Sequence, residues 1–195
     1  MDDAVTAHAM PLLQPTLTGE TILVRPMQPS DVAPLYEVAR DPRIWEQHPE
    51  STRWQPDVFA RYAEGALASG GGLVVTRHDT GELIGASRYY DWTPEVREVA
   101  IGFTFLVRTH WGGATNSELK RLMLAHAFTF ADRVWFHVGE RNVRSRRAVE
   151  KLGATVSHLE TGDHGAVTLH YLLTRAEWTR RRAQGAGAPE TGALD

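Results

Sequence analysis

From Glu98 to Gly153 the chain twice runs an apolar strand into a helix through a short polar or glycine-bearing junction, so it must fold as helices packed on a shared sheet. Glu98 to Val107 (EVAIGFTFLV) has the length and β-branched, aromatic content of a strand. Asn116 to Phe130 carries Leu119, Leu122, Met123, His126, Ala127 and Phe130 at helical spacing. Arg133 to Gly139 reads as the next strand, and Val143 to Leu152 as a short helix stopped by Gly153. Upstream, Thr21 to Pro26 predicts a strand and Pro29 to Asp31 the cap of a helix that ends at Asp41 and Pro42. Asp57 to Ala68 predicts a second helix, stopped by Gly70, Gly71 and Gly72. A hairpin of Leu73 to His78 and Leu83 to Tyr90 follows. Two last strands, Ala154 to Leu159 and Ala166 to Leu173, flank a turn. The expectation is a single α/β (α+β) domain over 16–178, with a mixed, mostly antiparallel sheet of about seven strands and about four helices. Residues 1–15 read as a flexible leader and 179–195 as a flexible tail.

Composition removes several classes of function. With 195 residues, 42% of them hydrophobic and 23% charged, the chain can build one good core. It contains no cysteine, which excludes disulfides, thiolate zinc sites and cysteine nucleophiles. A net charge of −3 offers no basic surplus for non-specific nucleic-acid binding. No run of about 18 apolar residues is present to span a membrane. Asp2 and Asp3 stand where a secretory signal places basic residues, so a cytoplasmic location is expected. No HExxH-like spacing suggests a metal, and neither GxxxxGK nor GxGxxG is present.

Two segments carry candidate chemistry. Gly70 to Gly72 lies between a helix and a strand, where glycine serves as a connector. Trp111, Gly112, Gly113 and Ala114 lie between a strand and a helix, where backbone N–H groups and the helix dipole can face an anion. The same residues also suit a tight turn without a ligand. Thr115 with Glu118 predicts a capping box at the helix start. The second segment, Gly139 to Gly153 (GERNVRSRRAVEKLG), gathers Arg141, Arg144, Arg146, Arg147 and Lys151 around a helix start. Arginines there can hold phosphate; Asn142 can bond an amide-rich ligand, and Ser145 can donate to a leaving group. An N-cap asparagine on a solvated basic helix is the competing reading.

These paired segments, with the element order from Thr21 to Leu173, resemble the GNAT acyltransferase superfamily, specifically its ribosomal-protein N-acetyltransferase-like branch. The resemblance extends upstream to Val24, Arg25, Pro26 and Asp31 and to the IWEQHP and SRYY segments. It implies a sheet splayed between the fourth and fifth strands, with acetyl-CoA as co-substrate in the opening. Phe105, Leu106 and Val107 would pair with the pantetheine, and Arg108, Trp111, Gly112, Gly113, Ala114 and Thr115 would seat the pyrophosphate. Asn142 would contact the pantetheine, and Arg144 or Arg147 the phosphates. The implied reaction is direct acetyl transfer to a primary amine, with no nucleic acid or membrane partner and homodimerisation left open. A non-catalytic acyl-CoA sensor is the alternative.

The sequence departs from the family pattern in three places. Thr109 stands where Gln or Arg is usual, with Arg108 one step off. Ala100 stands where many members carry a basic glutamate; Glu98 shares its face but lies about 7 Å away along the strand. Val149 stands where a tyrosine often protonates the thiolate, which leaves Ser145 as the better acid. Leu106 N–H is the expected oxyanion donor. Glu98, Glu46 and His48 are candidate bases, each more readily read as a surface or packing residue, and no residue at all is needed if the substrate amine arrives neutral. Trp45, Glu46, His48, Arg88, Tyr89 and Tyr90 are candidate acceptor-side residues. His126 and His137 are read as structural.

Overall fold

In the computed structural model, which describes residues 10–162 and 165–186, every residue from Gly72 to Thr76 is buried. Both faces of that strand are therefore covered by other elements. It is β3 (Gly72–Arg77) of an eight-stranded sheet whose other members are β1 (Leu17–Thr18), β2 (Ile22–Pro26), β4 (Leu83–Thr93), β5 (Glu98–Leu106), β6 (Arg133–Gly139), β7 (Thr155–Thr161) and β8 (Val167–Thr174). The helices are α1 (Val32–Ala39), α2 (Pro56–Ala68), α3 (Ala114–Phe130), α4 (Val143–Leu152) and α5 (Arg175–Ala186). The strand order is β1-β2-β3-β4-β5-β6-β8-β7. Every pairing is antiparallel except that of β5 with β6.

Each sheet face has its own core. On one, Leu119, Met123, Leu124 and Ala127 of α3, Val149 of α4 and Trp178 of α5 pack on Val99, Ile101, Val134, Phe136 and Tyr171. On the other, Leu35 and Ala39 of α1 and Phe59, Tyr62, Ala63 and Ala66 of α2 cover Val74, Ala86 and Phe105. The α1–α2 connection is anchored there by Trp45, which is 2% exposed and donates its indole N–H to Ala39 O at 2.7 Å.

The parallel β5–β6 ladder has three register pairs, Glu98↔Arg133, Val99↔Val134 and Ala100↔Trp135, and then the strands part. The expected splay therefore lies where the family resemblance put it. On its other edge β5 carries a bulge, because register with β4 moves from Arg88↔Gly102 to Ala86↔Phe105 and two residues of β5 oppose one of β4. Phe103 in the bulge holds φ +51, a conformation that costs a non-glycine residue strain. The extra residue also flips the alternation: Val99 and Ile101 face the α3 core, and beyond the bulge Leu106 does so.

Some boundaries differ from the sequence reading. The sheet gains the short β1, and α5 extends to Ala186, into the stretch expected as a tail, because Trp178 buries against Phe128. Leu13 packs on the core and Gln14 donates to Gly72 O, so the last part of the expected leader lies on the domain. Residues 1–9 and 187–195 of those two expectations lie outside the described residues. The capping box is not formed. Gly113 is the N-cap of α3, and Glu118 instead accepts bonds from the backbone and hydroxyl of Thr21. The connector reading of Gly70 to Gly72 holds: Gly70 has φ +64, and a Cβ on Gly71 would lie 2.0 Å from Tyr89 O.

Trp45→Phe should cost about 2–3 kcal/mol, since it leaves Ala39 O without its donor and opens a cavity beneath the α1–α2 connection. Urea unfolding of parent and variant checks the figure.

Candidate active site

The peptide groups at the end of β5 face alternately to β4 and to the opening. Val107 N–H donates to Ile84 O on β4 at 2.9 Å, so the Leu106 peptide groups point the other way. Leu106 O accepts from Trp111 Nε1 at 2.9 Å, while Leu106 N–H is left to the opening. Trp111 begins a turn in which Gly112 has φ +70, a value a larger residue would reach only with strain. A Cβ on Gly112 or Gly113 would meet nothing within 4 Å, so the first amides of α3 open onto free space. An open, strand-fed helix N-terminus beside an unpaired strand edge can hold a chain that ends in phosphates. Thr115 on the first turn has its hydroxyl 3.2 Å from His110 Nδ1.

The arginines expected at the phosphates are divided among other tasks. Arg108 Nε donates to Asp41 Oδ2 at 2.5 Å, and this contact holds the Asp41 carboxyl below its ordinary pKa. Arg144 places its guanidinium 3.8 Å from the Trp111 ring centroid and donates to Ile44 O, while its backbone N–H donates to Gln47. It therefore ties the α1–α2 connection to the Trp111 turn. Arg147 is exposed and makes no ion pair among the described residues. Asn142 is buried and caps α4, its Oδ1 accepting from Ser145 N–H at 3.1 Å; its carboxamide N–H groups are left for another partner. Ser145 is half-buried on the first turn of α4, and Val149, one turn on, is in the core.

The candidate bases fare differently. Glu98 sits at the closed end of the splay, where Arg133 Nη1 donates to one carboxylate oxygen at 2.7 Å and Trp135 Nε1 to the other at 2.8 Å. Glu46 is exposed. His48 accepts from Glu50 N–H, and its Nε2 lies 3.2 Å from Arg53 Nη1. Burial, and then the Arg53 charge, drive its pKa down to about 3, so it is neutral and a weak base at physiological pH. Trp45 and Tyr89, expected at the acceptor, are both core residues; Tyr89 is fully buried with its hydroxyl on Met123 O. Arg88 is on the β4 face that packs against α2, its guanidinium 4.1 Å from the Phe103 ring centroid and 5.7 Å from that of Tyr62.

Three groups went unread in the sequence or were read as structural. His137 of β6 stands two residues beyond the last β5–β6 pair, and Tyr90 reaches over Gly102 to put its hydroxyl 3.0 Å from His137 Nδ1. Its ring continues into a cross-strand row with His170 and His158, at centroid separations of 4.4 and 4.3 Å. His137 is half-buried beside the opening, and His126 packs its ring on Tyr89 and Phe130. Lys120 of α3 is 6% exposed, donates to Thr104 Oγ1 at 2.8 Å and lies over Phe136 between the splayed strands. Its spacing with Leu124 and Ala127 places it on the apolar stripe, which is the signal that could have found it. Arg53, in an irregular segment, leaves no periodic trace.

A family model for the acetyltransferase (GNAT) domain matches residues 21–155. The chain belongs to the GNAT acetyltransferase family. A GCN5-related N-acetyltransferase from Brucella melitensis superposes with a TM-score of 0.77 at 16% identity, covering 91% of this chain and 87% of that one. A T. thermophilus protein assigned as an acetyltransferase gives 0.70 at 25% identity, over 93% and 100%. RimJ of Mycobacterium smegmatis, solved in complex with CoA-disulfide, gives 0.69 at 20% identity, over 90% and 98%. No curated protein matches the chain by sequence. As a GNAT acetyltransferase it uses an acyl-CoA co-substrate, and the unpaired Leu106 edge with the open α3 N-terminus fits one. Among the described residues no helix is long and apolar enough to cross a membrane, and no group of His, Asp or Glu is arranged to hold a metal.

Burial lowers the Lys120 pKa from 10.5 to about 7. Between these values the unfolded chain binds a proton that the folded one does not, so folding is penalised increasingly as pH falls from 10.5 to 7. Lys120→Met should therefore stabilise the protein at pH 7 by about 1–3 kcal/mol, after the lost bond to Thr104 is offset, with the gain vanishing above about pH 10.5. Melting curves across that range check it.

Proposed function

We infer that this GNAT enzyme transfers an acetyl group from acetyl-CoA directly to a primary amine. The observation that carries the reading is the Leu106 N–H, facing an opening that starts one step beyond the Ala100↔Trp135 pair, beside the exposed amides of α3. Acetyl-CoA supplies an activated thioester carbonyl. Leu106 N–H donates to the carbonyl oxygen as charge grows on it, and the Ser145 hydroxyl donates to the sulfur that leaves. Arg108, Arg147 and the Trp111–Thr115 turn hold the phosphates, and the Asn142 carboxamide the pantetheine. The seating of Arg108 requires that it exchange Asp41 for phosphate.

The acceptor must lose a proton before it attacks. With Glu98 engaged at both oxygens and His48 weakly basic, the base is His137. Burial, and next the neighbouring His170, keep its pKa below the ordinary value, with His158 acting in the same sense and Asp91 and Glu160 against it. It is thus neutral at about pH 7. The role requires the tautomer in which Nδ1–H donates to the Tyr90 oxygen, 3.0 Å away, so that Nε2 keeps the lone pair that takes the proton. A base in this place favours catalysis over a sensor that only binds acyl-CoA.

The protein has no thiol of its own, so CoA release reads turnover without background. A panel of amines, including N-terminal peptides and polyamines, should give CoA release above the amine-free rate; binding of acetyl-CoA without release from any amine would establish the sensor. His137→Gln should lower kcat about 10²- to 10³-fold while leaving acetyl-CoA affinity unchanged. In the parent, kcat should fall only below about pH 6.5, where His137 takes up a proton. Ser145→Ala should slow turnover by about tenfold, again with little change in acetyl-CoA binding.

A further inference from the structure

We propose that the acceptor is an amine that also bears a carboxylate, and that Arg53 and Arg88 bind that carboxylate. The inference rests on the reading of the chain as an acetyl-CoA-dependent N-acetyltransferase and specifies its acceptor.

Arg53 and Arg88 are 9% and 8% exposed, and both guanidinium carbons lie over the Tyr62 ring, at 4.9 and 5.7 Å from its centroid. Two buried cations on one phenol ring repel each other, and neither has a carboxylate within salt-bridge distance among the described residues. Tyr62 does not serve as counter-ion. Its hydroxyl donates to Phe103 O, and burial raises its pKa to about 12, so it is a neutral phenol. Glu50 is the acid that acts on Arg53, but it is exposed and its carboxylate accepts from Thr52. Of the donors on Arg88, Nη2 bonds Tyr62 O, and Nε is buried without an acceptor. Arg53 faces His48 Nε2, a neutral ring. A buried cation is costly unless it is paired, and guanidinium groups match a carboxylate in charge and in their forked donor geometry.

Position gives this unpaired charge its meaning. Arg88 is in register with Gly102, next to the bulge, on the face that presents Tyr90 and, across the opening, His137. Arg53 comes from the connection that Arg144 ties to the Trp111 turn. From Gly102 to Leu106 is about 10 Å along the strand, allowing for the bulge. A small acceptor that spans this distance can place its amine toward Leu106 and its acid group at the arginines, with His137, level with Gly102 by the β5–β6 register, flanking it. The ring over Arg88 is that of Phe103, 37% exposed on a strained bulge residue, and the carboxylate must displace it to reach the guanidinium.

Full-length protein with acetyl-CoA is offered glycine, 4-aminobutyrate and 6-aminohexanoate, each against its amide. At least one acid should exceed its amide by tenfold or more in kcat/KM. Arg88→Gln and Arg53→Gln should each reduce that ratio at least fivefold, chiefly through KM for the acid. Parity or amide preference in all three pairs overturns the proposal, as does a preference that survives both substitutions. If no amine of any kind releases CoA, it is the enzymatic reading that fails, and the anion site is decided by melting. There, 4-acetamidobutyrate should raise the midpoint while 4-acetamidobutyramide does not, with the difference lost in either variant. Equal shifts, or none, overturn it.

Discussion

The parallel contact between β5 and β6 is the constraint on which the site depends. Three residue pairs hold the two halves of the sheet together, and α3 packs across both. A longer ladder would close the edge that exposes Leu106 N–H, and a shorter one would let the halves separate. The glycine turn, the α3 N-terminus, His137 and the bulge all lie where this pairing stops. Strand edges with free backbone groups are normally blunted or covered. Here the free edge lies inside the molecule, flanked by two cores, so it is available to a bound chain without inviting another sheet.

The bulge at Phe103 complements that gap. An extra residue in β5 turns the strand so that Leu106 regains the α3 core after Phe103 has been pushed out of it, and Tyr62 satisfies the displaced Phe103 carbonyl. The strain at Phe103 is thus held by packing on both sides, as expected where a strand must change direction beside a reactive centre.

Much of the frame was legible because it is local. Strand and helix periodicity located both strand-to-helix junctions, and Gly112, Asn142 and Gly153 have the conformations or caps that their positions predict. Arg88 is legible among the candidate acceptor-side residues of the SRYY segment. Side-chain partners across the fold were less accessible. Arg144 is recruited by Trp111 and Ile44, Glu98 by Arg133 and Trp135, and Glu118 by Thr21; each partner is more than thirty residues away or in an irregular segment. Trp45 and Tyr89 read as ligand-facing because aromatic residues serve cores and pockets equally, and only burial separates the two. The row of His137, His170 and His158 depends on β8 inserting between β6 and β7, a strand order that sequence neighbours do not reveal.

In the arrangement proposed above, the clamp made by Arg144 joins two parts of the molecule that serve different substrates. Its guanidinium lies on the ring that begins the phosphate turn, while its bonds to Ile44 and Gln47 hold the connection that carries Arg53 and His48. On the proposed site, acceptor choice and acyl-CoA seating are therefore not independent characters in this chain. A lineage that remodels the 44–55 connection for a different acceptor shifts the footing of Trp111 with it, and must either keep Arg144 and its two contacts or rebuild the phosphate turn at the same time.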